Sequence, residues 1–148
     1  MATIFIYCSF VIRLMKMQTT LFWIARIVAA IILLQTLFFK FTGAPESVEL
    51  FTKLGVEPWG RIGTGVLELI ASVLILIPAT AWLGAALSIG LMIGAIASHI
   101  LIIGVLRGDG GQLFLYAVIV LVSALFSFWK SKGQIPDPIR KLLPSFLQ

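Results

Sequence analysis

The sequence predicts an all-α fold, an integral membrane four-helix bundle with a short amphipathic helix between the first two spans. Three observations predict it. The chain has 148 residues, 60% of them apolar and only 11% charged. A soluble domain carries roughly 25% charged residues, and one of this size has too little interior to hide so much hydrocarbon from water. The apolar residues gather into four long runs, and all four tryptophans, Trp23, Trp59, Trp82 and Trp129, stand near run ends. That is where an indole ring meets the headgroups of a lipid bilayer.

The elements follow in order. Residues 1–17 form an N-terminal extension: Ile4 to Ile12 is apolar but too short to span, and Arg13 and Lys16 follow it. A signal peptide has its charges first. The extension reads as an interfacial segment, or as the product of a start codon assigned upstream of the true one. The transmembrane domain covers 18–130, and its first span is Leu21 to Phe39. Between Lys40 and Arg61 a short helix is expected, with Pro45 in its first turn, Glu46 and Glu49 near its positive end, and Gly55 after it. Val48, Phe51 and Leu54 make its apolar stripe, which suits the membrane interface or the mouth of the bundle. The second run, Ile62 to Ile77, is short for the ~20 residues a span needs and must recruit Trp59 to Arg61. Pro78 stops it, and Thr80 is placed to cap the third span, Ala81 to Leu106. Arg107 to Gly111 is a polar turn before the fourth span, Leu113 to Trp129, and residues 131–148 form a basic tail.

Charge excludes more than it assigns. The net charge of +5 and pI near 9.8 come from basic residues scattered between or beyond the spans, so no nucleic-acid partner is expected. Arg13, Lys16, Lys130, Lys132, Arg140 and Lys141 lie on one side of the membrane and Lys40, Lys53, Arg61 and Arg107 on the other. That bias places both termini in the cytoplasm. The single cysteine, Cys8, excludes an intrachain disulfide and a CxxC pair, and one histidine with no carboxylate cluster predicts no metal centre.

Ionisable residues inside a span are costly and normally face the bundle interior. This chain places Arg26, Glu68 and His99 there. Glu68 lies seven residues below Arg61 and His99 eight below Arg107, so both are expected ~10 Å under one outer surface. Lys40 ends the first span on that side, and Tyr116 lies a little above the layer. Arg61, Thr64, Gly65, Glu68 and Ser72 share one stripe. Ala86, Gly90, Gly94 and Ser98 recur every four residues, which predicts a seam of close helix packing with His99 at its flank. Arg26 falls on one face with Leu33 and Lys40, near enough to Trp23 to reach headgroups, and Gln35 lies nearly opposite, toward another neighbour or a second subunit. The expected site is thus Glu68, His99, Lys40, Tyr116 and Arg26, with Glu68 and His99 hydrogen-bonded directly or through one water.

These features together resemble the DoxX-like family of small bacterial four-helix membrane proteins, over about Leu21 to Trp129. The resemblance is carried by Arg26 in the first helix, Lys40 after an aromatic pair, the Leu54-Gly55 turn with Pro58, Glu68 amid small residues, and Ala97-Ser98-His99 late in the third. It implies a multi-pass protein of the bacterial inner membrane, linked to redox systems that handle quinones, sulfur or thiol stress; it assigns no cofactor, a non-covalently bound quinone being the candidate. It does not by itself imply catalysis, since the chain has no redox cysteine pair; redox chemistry would need a partner subunit or the quinone. A proton-coupled transporter and an assembly factor without catalysis are the competing readings, and a partner subunit or a homo-oligomer is the partner that any of them allows.

Overall fold

A computed structural model describes residues 2–105 and 111–141, with side chains from residue 16 onward. The helices are α1 (Ala2–Phe41), α2 (Pro45–Lys53), α3 (Trp59–Leu76), α4 (Ala81–Ser98), α5 (Gln112–Ser131) and the short α6 (Asp137–Arg140). A 3-10 turn, Pro78–Thr80, precedes α4, and a π turn, His99–Ile103, follows it. The described residues contain no strand. Four stretches are long and apolar enough to cross a membrane: Lys16–Phe41, Trp59–Leu76, Pro78–Ile103 and Gln112–Gln134. The protein is therefore an all-α, multi-pass membrane bundle.

The spans pack in a ring, α1 on α3, α3 on α4, α4 on α5 and α5 back on α1. Its centre is filled by small and medium residues: Ala29, Ala30 and Leu33 of α1, Ala71 and Ile75 of α3, Ala85 and Met92 of α4, Ala117 and Val120 of α5. Large apolar side chains such as Ile31, Phe38, Val73, Ile93 and Val122 face outward. That order suits lipid, where hydrocarbon outside is as apolar as hydrocarbon inside and helices associate through close packing instead.

Each local stop has a physical cause. Helix α1 carries through Met17 without a break, so the backbone of the extension is continuous with the first span. Pro45 opens α2 at its first turn, Phe51 is its buried residue, and Gly55 takes φ +71° to turn the chain back. Helix α3 begins at Trp59, as the short second run requires. Thr80 stands at the head of α4 but does not cap it; its hydroxyl donates to the Leu74 carbonyl at 3.0 Å and closes the end of α3 instead. The tryptophans lie near span ends, Trp23, Trp59 and Trp129 exposed and Trp82 half-buried. The expected turn at 107–110 lies outside the described residues, as does the tail beyond 141, while Gly111 heads α5 with φ +86°.

The packing seam of α4 differs from the expected one. Its buried residues are Ala81, Gly84, Ala85, Ser88 and Met92. Gly90 and Gly94 are exposed, and a Cβ on either would meet nothing within 4 Å. At Gly84 a Cβ would lie 2.2 Å from Ile75 N and 2.7 Å from Ile75 Cα, so only glycine lets α4 rest on the α3 backbone there. Two stripes of small residues run along this helix, and spacing alone cannot say which one faces a neighbour.

Candidate functional site

The polar interior lies in the half of the bundle that ends at α2, called here the mouth. The α3 stripe faces inward as expected: Arg61, Gly65, Glu68, Ala71, Ser72 and Ile75 are buried. Gly65 brings α1 close, since a Cβ there would stand 3.7 Å from Lys40 Cβ and 3.3 Å from the Phe41 ring. Lys40 then reaches inward, and its ammonium lies 2.5 Å from both Glu68 carboxylate oxygens. The Thr36 hydroxyl is 3.0 Å from Glu68 Oε2 and 2.8 Å from the Leu33 carbonyl. The side chains of Lys40 and Glu68 are only 14% and 7% exposed, which makes this a buried ion pair.

Above it, Arg61 closes the mouth. Its guanidinium binds Glu57 at 2.8 Å and donates to the Lys40 carbonyl in the last turn of α1. Carbonyls at a helix end have no partner of their own, so Arg61 both ties α1 to α3 and holds the backbone of the residue that reaches Glu68.

His99 is buried but elsewhere. Nδ1 lies 3.3 Å from the Gly104 carbonyl, and the ring meets Phe114 of α5 edge-on at 6.0 Å. A carbonyl only accepts, so in the neutral ring Nδ1 carries the proton and Nε2 is the basic nitrogen. The direct Glu68–His99 hydrogen bond is not formed. Helix register explains why: Gly84 lies against Ile75, and from that level Glu68 is ~10 Å and His99 ~22 Å toward the mouth. The equal depth expected from Arg107 assumed an unbroken helix from 99 to 107. Instead α4 ends at Ser98, and the π turn closes at Gly104, φ +92°, whose N–H returns to the His99 carbonyl at 2.8 Å. His99 belongs to the mouth, where its π turn also packs against α2.

The remaining expected residues separate likewise. Tyr116 is half-buried on α5, and its hydroxyl makes no hydrogen bond among the described residues; Phe114, two residues earlier, is the α5 residue that meets His99. Arg26 lies ~21 Å along α1 from Lys40, at the opposite end of the bundle. It does not reach out to headgroups: it is 1% exposed, and its Nε donates to the Ile75 carbonyl. Gln35 is exposed on the outer face of α1. Thr36 was readable one turn from Lys40 but carried no charge to draw notice. Among the described residues no group of His, Cys, Asp and Glu is arranged to hold a metal.

The cluster joins a carboxylate to an ammonium with a donor to spare, and the imidazole stands apart from it, nearer the mouth. An ammonium has three donors, and two are directed at Glu68. A sequence model of the DoxX-like family matches residues 24–127, taking in Arg26, Lys40, Glu68, His99 and Tyr116. No curated protein and no solved structure gives a significant match.

Proposed function

This chain belongs to the DoxX-like family, and from that premise we propose that it is a membrane subunit or accessory protein of a redox-linked system in the bacterial inner membrane. The observation that carries the reading is the buried Lys40–Glu68 pair with Thr36, set beneath a mouth that holds His99. Its ligand on this reading is a quinone. The donor set fits one: the third Lys40 donor suits a quinone carbonyl, and Glu68 and the basic nitrogen of His99 are groups that hold or pass protons. A bound quinone would supply the two-electron chemistry that the chain's own side chains lack.

The test is quinone extraction from the full chain purified in mild detergent. Quinone is expected to co-purify near one per chain and to fall at least about tenfold in Glu68→Gln, since a buried site that loses a charged partner loses ~1.5–3 kcal/mol of hydrogen bonding. Quinone absent from the wild-type protein, or present equally in both, would overturn the reading.

A second reading, an assembly factor without catalysis, is favoured by one observation: the exposed stripe of Gly90 and Gly94, with half-buried Ala86 and Ser98, has nothing packed on its glycines. The proton-coupled transporter gains no comparable support.

A further inference from the structure

Arg26 poses a problem that the mouth does not address. Its guanidinium lies 4.2 Å over the Trp23 ring and 5.0 Å over the Phe22 ring. One nitrogen is bonded to the end of α3, yet Nη2, sealed from solvent, has no hydrogen-bond partner. Nor does a carboxylate neutralise it among the described residues. Glu46, Glu49, Glu57 and Glu68 are all in the mouth half, and Asp137, the one described carboxylate at this end, sits 3.9 Å from Arg140. A buried cation without a counter-charge is costly, more so in a bilayer.

Beside it is a groove of about 230 Å³ between the first turns of the Lys16–Phe41 span and the end of α5, lined by Gln18, Thr19, Phe22 and Lys130. The Phe22 ring that lines this groove is the ring under the guanidinium. Lys130 Nζ donates to Gln18 Oε1 at 2.7 Å and lies 5.2 Å from the Trp129 ring. Lys130, an amide and a hydroxyl thus line the groove, and Arg26 lies behind its Phe22 wall.

We infer that this groove holds the phosphate of an anionic phospholipid, bound by Lys130 and Gln18 at the rim, with Arg26 behind Phe22 supplying the inner positive charge. Depth selects the lipid over a free anion. Gln18 and Thr19 lie near the Lys16 end of the first candidate span and Lys130 near the Gln134 end of the fourth, so the rim stands close to the level of lipid phosphates. Trp23 and Trp129, both exposed, flank the rim as headgroup-level aromatics do. Acyl chains would then run along the outward apolar surface of α1, where Leu21, Ile24 and Ile27 are exposed.

Native mass spectrometry of the full chain in detergent, mixed with phosphatidylglycerol, phosphatidylcholine or inorganic phosphate, tests this. Phosphatidylglycerol is expected to bind at least about fivefold better than phosphatidylcholine, and Lys130→Gln or Arg26→Gln to remove about that factor, the worth of one cation at a lipid surface. Lys53→Gln, an exposed cation at the mouth end, serves as the charge control and leaves binding unchanged. Lys130→Gln keeps the test open if Arg26→Gln fails to fold. Equal binding of the two lipids overturns the inference, as does a Lys130→Gln protein that binds like wild type or a Lys53→Gln loss as large as that of Lys130→Gln. Inorganic phosphate displacing phosphatidylglycerol at equal concentration overturns it in favour of a free anion.

Discussion

Glu68 is held at both carboxylate oxygens by Lys40, and Thr36 adds a third contact. Breaking such a pair from one side leaves an uncompensated charge in a poorly solvated place, which costs about 3 kcal/mol or more, whereas replacing both partners with apolar groups is often neutral. Thr36 also bonds the Leu33 carbonyl and so keeps a partner when Glu68 is removed. Glu68→Leu and Lys40→Met are each expected to destabilise the detergent-solubilised protein by about 3 kcal/mol, and the double variant by under half the sum. Denaturation curves for the four proteins measure this coupling. Additive losses would mean that the pair is not a unit. At this scale the sequence was informative about which residues are polar and buried, since Arg26, Glu68 and His99 each interrupt an apolar run. It was uninformative about pairing. Lys40 and His99 compete for Glu68, and the winner depends on where a helix stops.

Helices contribute through their register. At Gly84 the α4 helix rests on the α3 backbone, and that contact fixes the register of the two helices. A methyl group at Gly84 would sit under 3 Å from three α3 backbone positions, Ile75 N, Ile75 Cα and Leu74 C, none of which is a flexible side chain. Gly84→Ala is therefore expected to lose about 1–3 kcal/mol as overpacking forces the helices apart. Gly90→Ala and Gly94→Ala meet open space and are expected to be neutral or to gain up to about 1 kcal/mol of helix propensity. Thermal unfolding in detergent separates the two classes; a loss at Gly90 as large as at Gly84 would restore the outer stripe as the packing seam. The same stripe bears on the second functional reading: bulky Gly90→Leu should leave melting intact while abolishing recovery of a partner membrane protein, if partner binding is what the stripe does. The element-scale signals were unequal in strength. Pro45 and Gly55 bound α2 and Pro78 ends α3 through fixed dihedrals, which one residue is enough to announce. The π turn after Ser98 has no such marker beyond Gly104, so the sequence pattern runs the span to Leu106, three residues past Ile103, and sets His99 about two turns too deep.

For the molecule as a whole, an even number of spans puts the start of α1 and the end of α5 at one end of the ring, and α2 with the mouth at the other. The bundle is therefore electrically lopsided. Among the described residues the mouth half pairs Lys40 with Glu68, Lys53 with Glu49 and Arg61 with Glu57, each within 3.1 Å. Among the described side chains the terminal half carries Lys16, Arg26, Lys130, Lys132, Arg140 and Lys141 against Asp137. Lysine and arginine near span ends are retained on the cytoplasmic side, so the terminal half is expected to face the cytoplasm and the Lys40–Glu68 cluster to lie under the opposite leaflet. Cysteine accessibility decides it. In a Cys8→Ser background, Thr52→Cys on exposed α2 should react with a membrane-impermeant maleimide in intact cells, and Gln134→Cys beyond α5 only after lysis. The two sites sit at opposite ends of the ring, so each is the other's control for permeation. The reverse pattern would invert the bundle, place the mouth and its ion pair toward the cytoplasm, and move the Lys130 groove into the outer leaflet. Labelling of both sites in intact cells would mean that chains insert both ways, the behaviour that a small charge bias permits and that the transporter reading, unlike a subunit docked to a fixed partner, could use.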